Sequence, residues 1–81
     1  MGPRHSTVAK SLNNIGTVFN DMKKYTEAIS FFRKSLEIEK ETLGEIHSAT
    51  ARSLNNIGVA YYKMGSFEEA LDYHLRSLAI R

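Results

Sequence analysis

The chain has 81 residues, one proline and no cysteine, and a quarter of its residues are charged. This length is below the roughly 100 to 200 residues of an average domain, so it allows one small unit and excludes a multidomain enzyme. Eleven Lys and Arg against nine Asp and Glu leave a net charge of +2, too low to favour nucleic-acid binding. No apolar stretch is long enough to span a membrane, and residues 1–5 lack the apolar core of a signal peptide. These observations favour a cytosolic or nuclear origin, and we expect a cytoplasmic protein that binds neither nucleic acid nor membrane.

The sequence repeats itself with a period of 42 residues. Shifting the chain by 42 positions gives 16 identities in 39 overlapping pairs, and residues 11–16 recur unchanged as residues 53–58. A fixed period of this length is typical of a solenoid, in which each unit covers its apolar face by stacking on a neighbour. We place the first unit at residues 1–46 and a second, truncated unit at residues 47–81.

Apolar residues within each unit recur every three or four positions, which is the spacing of an amphipathic helix. In the first unit the two stripes are Val8, Leu12, Ile15, Phe19, Met22 and Ala28, Ile29, Phe32, Leu36. The second unit repeats both stripes, and Gly44 and Gly65 are placed as left-handed helix stops. The pattern predicts an all-α fold of four antiparallel helices, near residues 6–22, 25–43, 48–64 and 67–81.

Two glycines lie in the middle of predicted helices, where glycine costs roughly 1 kcal/mol relative to alanine. We expect Gly16 and Gly58 to face the small residues Ala28 and Ala70, so that the paired helices approach closely. The alternative is a flexible hinge, which the unbroken apolar stripe disfavours.

The residues at these positions resemble the tetratricopeptide repeat family. The matching positions are Leu12, Ile15, Gly16, Phe19, Tyr25, Ala28, Phe32 and Ser35, then Leu54, Ile57, Gly58, Tyr61, Phe67, Ala70 and Ser77. The family's usual unit has 34 residues, and the 42-residue unit with Leu-Gly-x-x-His and Ser-Leu-Asn-Asn-Ile-Gly is similar to the kinesin light chain type. Lys23 replaces the turn glycine, and His74 replaces an aromatic residue. The resemblance implies a right-handed superhelical α-solenoid of helix-turn-helix units that binds proteins without catalysis.

The first helix of each unit also carries a polar stripe. The resemblance implies that this side lines a concave groove that holds a peptide or protein segment, and an Asn amide can pair with both the N–H and C=O groups of a peptide. Asn13 and Asn55 have an alternative role, bonding to neighbouring helices, while Asn14 and Asn56 are solvated in that case. The candidate peptide-binding residues are Lys10, Asn13, Asn14, Thr17, Asp21, Arg52, Asn55, Asn56, Val59, Tyr62 and Lys63.

Charge on the first helices favours an acidic ligand. Lys10, Arg52 and Lys63 face only Asp21 there, and the resemblance to kinesin light chain implies a tryptophan-acidic peptide. A solvated charged face explains the same residues, since each exposed contact is worth only about 0 to 1 kcal/mol.

No residue pattern indicates catalysis, a metal or a cofactor. The sequence has no phosphate-binding glycine loop and no hydrolase motif, and His5, His47 and His74 lack metal-ligand spacing. The glutamates of the second helices have basic neighbours, as on exposed faces: these are Glu27, Glu37, Glu39, Glu41, Glu68 and Glu69. We therefore expect a protein that is not an enzyme.

The second helix of the second unit suggests an alternative function, self-assembly. Leu71, Tyr73 and Ile80 repeat the positions of Ile29, Phe31 and Ile38, which we expect to pack on the third helix. The equivalent face of the fourth helix would then be uncovered, and exposed apolar patches usually mark contacts. This predicts a homo-oligomer formed through uncapped terminal helices, a structural module excised from a longer array.

Overall fold

The computed structural model describes residues 3–44 and 46–80, with side chains from residue 7 onward. These residues form four helices: α1 (Pro3–Asp21), α2 (Tyr25–Thr42), α3 (Ser48–Met64) and α4 (Phe67–Ile80). The ends lie close to the expected positions, except that α1 begins three residues earlier, at a proline. Proline is favoured at the first helical position because the N–H it lacks would be unpaired there. Residue 81, the expected end of the last helix, lies outside the described residues.

The first helix of each pair ends in the same tight turn. Gly65, which follows α3, has φ 87°. Gly44, which follows the second helix of the first pair, α2, has φ 98°. Both glycines therefore end helices in the left-handed region, as predicted. Lys23 takes the same conformation with φ 67°, although a left-handed lysine costs roughly 1 to 2 kcal/mol. The equivalent turn hydrogen bonds run from Ser66 N to Tyr61 O at 2.9 Å and from Lys24 N to Phe19 O at 2.8 Å. The turn is therefore set by the packing of the hairpin and survives the loss of glycine.

The core lies between α2 and α3, where the two units meet. Its buried apolar side chains come from both helices, and removing them from water supplies the main driving force for stacking the units. They are Ala28, Ile29, Phe32, Leu36, Leu54, Ile57 and Ala60. Each helix also packs on its chain neighbour, whereas α1 meets α3 over a much smaller contact. This arrangement confirms the predicted all-α solenoid.

The glycines in α1 and α3 do allow close approach, but not to the expected alanines. A Cβ atom on Gly16 would lie 2.6 Å from Phe32 Cε1, and one on Gly58 would lie 3.0 Å from His74 Cε1. The nearest atoms are therefore those of Phe32 and His74, and the expectation of Ala28 and Ala70 as the nearest partners was wrong. The reason is that the residue one turn further along each second helix is a ring, which fills the space left by the missing side chain.

Both hairpins are closed by the same two contacts. The hydroxyls of Ser35 and Ser77 are buried and donate to the backbone oxygens of Ala9 and Ala51, each at 2.8 Å. Stacked aromatic pairs lie at equivalent positions, Phe19 with Phe31 at 5.3 Å and Tyr61 with Tyr73 at 5.7 Å between centroids. A serine at this position therefore replaces a purely apolar contact with a hydrogen bond inside each unit.

The outward face of α4 differs from the expected one. Tyr73 and Ile80 are partly buried against the core, so they are less exposed than expected, and their part in self-association stays a prediction. Tyr73 is turned inward by its stacking on Tyr61. Leu71 is exposed, and it shares its face with two further exposed leucines, Leu75 and Leu78, because residues three and four apart lie on one side of a helix.

Candidate functional site

A concavity of about 380 Å³ lies between α1 and α3, on the side predicted for ligand binding. The two polar stripes meet here because residues three or four apart share one face of each helix. We call this concavity the peptide groove, after the ligand that the sequence predicts for this side, and its lining is Lys10, Asn13, Asn14, Thr17, Arg52 and Asn56. It brings together six of the eleven candidate residues.

Asn13 forms the floor of the peptide groove and is almost wholly buried. It is 6% exposed, and its Nδ2 donates to Ser35 Oγ at 2.9 Å and to Ser53 Oγ at 3.1 Å. These bonds join α1 to α2 and α3. Asn13 therefore takes the alternative role, bonding to neighbouring helices, and its candidate role in direct ligand contact stays a prediction.

Asn13 also contacts the side-chain amide of Asn56. Its Oδ1 accepts a long hydrogen bond from Asn56 Nδ2, at 3.4 Å, and this bond favours one orientation of the half-buried Asn56 side chain. The Oδ1 of Asn56 makes no hydrogen bond within the described chain, and neither does the exposed amide of Asn14. These two amides present both donors and acceptors to the peptide groove.

A buried carboxylate supports this floor, and the expectation of an exposed position for it was wrong. Glu39 is 3% exposed and its Oε1 accepts a hydrogen bond from Ser53 Oγ at 2.5 Å. Burial raises the pKa of Glu39, while the hydrogen bond from Ser53 and the charge of Arg52 oppose part of the rise. A signal was present in the sequence: residue 39 continues the buried stripe of Ala28, Phe32 and Ser35 at helical spacing.

The remaining candidates lie outside the peptide groove. Asn55 Oδ1 is 2.8 Å from His74 Nδ1, so this side chain is turned toward α4 and away from the predicted ligand. Tyr62 is exposed and packs on Phe67, with 5.3 Å between ring centroids. Asp21 and Lys63 are exposed and Val59 is half-buried; none of the three lines this concavity.

The model of one protein family, described as tetratricopeptide repeat, matches residues 7–81. The match spans both helical hairpins and the loop between them. The chain belongs to the tetratricopeptide repeat family. Repeats of this family are generally protein–protein interaction modules and typically non-catalytic scaffolds. A search of the curated proteins found no significant match.

The peptide groove of these tetratricopeptide repeats is basic at one end. Lys10 and Arg52 are exposed and also line a smaller adjoining concavity of about 200 Å³, with Glu39 at its inner side. Within residues 7–44 and 46–80, the only ion pair within 4.0 Å joins Arg76 to Asp72. Neither Lys10 nor Arg52 therefore has a carboxylate oxygen within 4.0 Å in this part of the chain, although the charge of Arg52 acts on the carboxyl group of Glu39 and offsets part of the rise in pKa that burial causes there.

Two of the three histidines have structural partners in the repeats. His47 precedes α3, and its Nδ1 accepts the backbone N–H of Ala49 at 3.0 Å, which caps the helix. His74 Nδ1 donates to Asn55, because a carbonyl oxygen can only accept. The side chain of His5 lies outside the described part of the chain.

Among the described residues, none of the four helices has both the length and the apolar character that a membrane span requires.

Proposed function

We propose that the chain is a non-catalytic binding module that holds an extended peptide or protein segment in the peptide groove. The observation that carries the proposal is the exposed amide of Asn14 beside the oriented amide of Asn56. An extended peptide has unpaired N–H and C=O groups along its backbone, and an amide can bond to both kinds. Fixing Asn56 in advance lowers the entropy lost on binding.

We further propose that the peptide groove prefers acidic segments. Lys10 and Arg52 lie at one end of the groove without an ion-pair partner in the described chain. The 42-residue unit is also similar to the kinesin light chain type, which implies a tryptophan-acidic ligand. Charges at the edge of a binding surface contribute mainly to specificity and association rate.

Replacing both amides tests the groove. We expect the variant with Asn14→Ala and Asn56→Ala to bind an acidic peptide about thirtyfold more weakly, because two hydrogen bonds of roughly 1 kcal/mol each are lost. Fluorescence polarisation with a labelled acidic peptide library measures the loss, and sedimentation checks that the mass of the protein is unchanged. Glu41→Ala, an exposed change outside the groove lining, is the control. Unchanged affinity in the double variant would contradict the proposal.

A second candidate function is stacking of copies end to end, and a comparison of the two units favours it. Ile57 is fully buried against α2, whereas its equivalent Ile15 is 41% exposed. Ile29 and Leu36 of α2 are buried, whereas their equivalents in α4, Leu71 and Leu78, are exposed. The outward faces of α1 and α4 therefore carry the same residue types that pack together between α2 and α3.

A further inference from the structure

A larger concavity, of about 500 Å³, lies along α2 and the carboxyl-terminal end of α3. We call it the outer groove; its apolar lining is Ile29, Tyr61 and Met64, and its charged rim includes Arg33, Lys34 and Glu37. The backbones of α2 and α4 do not touch, which leaves the space open.

The outer groove is separate from the peptide groove. A helix turns about 100° per residue. Tyr61, nine residues after Arg52, therefore lies on the opposite side of α3. The two concavities share no lining residue, so substitutions can address each one alone.

Arg33 is held in place at the rim by two tyrosines. Its Nη2 donates to the hydroxyl of Tyr61 at 2.7 Å, and its guanidinium carbon lies 5.9 Å from the ring centroid of Tyr73. Tyr61 and Tyr73 are themselves stacked, so both partners of the arginine are fixed. A guanidinium ordered in this way keeps further N–H groups for a carboxylate and loses little entropy on binding one.

The rim has positive charge that no carboxylate of the described chain pairs directly. Neither Arg33 nor Lys34 has a carboxylate oxygen within 4.0 Å in residues 7–44 and 46–80. Arg76, also near Tyr73, is paired with Asp72 at 3.0 Å. Glu37 lies one helical turn beyond Arg33, so a ligand carboxylate is favoured at the Arg33 end of the rim and repelled at the Glu37 end.

We propose that the outer groove is a second docking site, for an acidic peptide segment in which a large apolar side chain stands next to Asp or Glu. The apolar side chain covers Ile29 and Tyr61, and Met64 adapts to its shape because methionine is flexible. The carboxylate receives charge-assisted hydrogen bonds from Arg33. The site is independent of the peptide groove on the other side of α3.

Titration of the ¹⁵N-labelled chain with one peptide tests the proposal by nuclear magnetic resonance. The probe is the acetylated, amidated peptide Gly-Ser-Leu-Glu-Leu-Glu-Ser-Gly, whose blocked ends leave side-chain carboxylates as its only charges. We expect shifts at Ile29, Arg33 and Tyr61. Arg33→Gln should lower the affinity obtained from these shifts about tenfold, since one charge-assisted hydrogen bond is worth roughly 1.5 kcal/mol or more. Lys40 is an exposed cation of the same helix, and Lys40→Gln should leave the affinity unchanged.

Three further comparisons distinguish binding in the outer groove from binding in the peptide groove and from purely apolar binding. Tyr61→Phe keeps the ring but releases Arg33, and we expect a smaller loss than for Arg33→Gln. The peptide with Gln in place of both Glu residues should shift the same signals only weakly; equal binding of this neutral peptide would overturn the proposal.

The Asn14→Ala and Asn56→Ala variant should retain the shifts. Shifts confined to Asn14 and Asn56 in the unchanged chain would overturn the outer groove while supporting the peptide groove, and shifts at neither site would also overturn it.

Discussion

Glu39 is an acidic residue in an almost completely buried position. A carboxylate at 3% exposure loses most of its hydration, and such burial costs free energy unless hydrogen bonds replace the water. Ser53 supplies one bond, and Asn13 Nδ2 lies 3.4 Å from the other oxygen. The carboxylate thus holds the floor of the peptide groove at the point where α1, α2 and α3 meet.

The raised pKa of Glu39 predicts a specific pH dependence of stability. Because burial raises the folded-state pKa above the ordinary value of 4.5, the folded chain binds this proton more tightly than the unfolded chain does. The stabilising contribution is therefore present below pH 4.5 and is lost as the pH rises through the raised pKa. Urea unfolding between about pH 4 and pH 7 should show that the free energy of unfolding falls more steeply in the unchanged chain than in Glu39→Gln.

The exposed glutamate of the same helix provides the control for this measurement. Glu41 is exposed, so Glu41→Gln should leave the steeper fall in place. Parallel stability curves for the unchanged chain and Glu39→Gln would contradict a raised pKa for the buried carboxylate.

At the scale of the helices, the contact between a glycine and a ring sets how closely each pair packs. Phe32 is 2% exposed, so its ring cannot retreat from a side chain added at position 16. We expect Gly16→Ala to lower the free energy of unfolding by about 1 to 2 kcal/mol, because overpacking outweighs the roughly 1 kcal/mol gained from helix propensity. Urea unfolding measures the change.

The second hairpin offers the matched comparison. A Cβ on Gly58 would approach the ring of His74 to 3.0 Å, a milder overlap, and this ring is only half-buried. Gly58→Ala should therefore cost less than Gly16→Ala. A Gly16→Ala variant at least as stable as the unchanged chain would contradict close packing as the reason for the glycine.

The helices could be predicted from the sequence because two independent patterns agree on them. Apolar spacing places each helix, and the 42-residue period repeats the placement. Contacts that depend on which neighbour is present could not be predicted in this way. Ile15 and Ile57 have identical local sequence, yet one is exposed and the other buried, because only α3 has a second helix on that side within the described chain. The burial of Glu39 was not predicted because a charged residue is expected on an exposed face, although position 39 continues a buried stripe.

At the scale of the whole molecule, the short dimension of the fold explains why α3 contributes side chains to both grooves. The Cα atoms span 36 × 27 × 13 Å, so the molecule is a slab that is much shorter in one dimension than in the other two. Side chains of α3 therefore reach both sides of the layer. Arg52 and Asn56 line the peptide groove while Tyr61 and Met64 line the outer groove.

The same thin layer leaves its two ends apolar, which predicts association of copies. Leu75 and Leu78 are 54% and 64% exposed, so charged substitutions there should leave the folded chain intact while abolishing contact with the α1 face of a second copy. Sedimentation velocity across a concentration series should show the average mass of the unchanged chain rising with concentration, and the variant with Leu75→Glu and Leu78→Glu remaining monomeric. Lys40→Glu adds a carboxylate elsewhere and should behave like the unchanged chain. A constant monomeric mass for the unchanged chain would leave the apolar ends without this role.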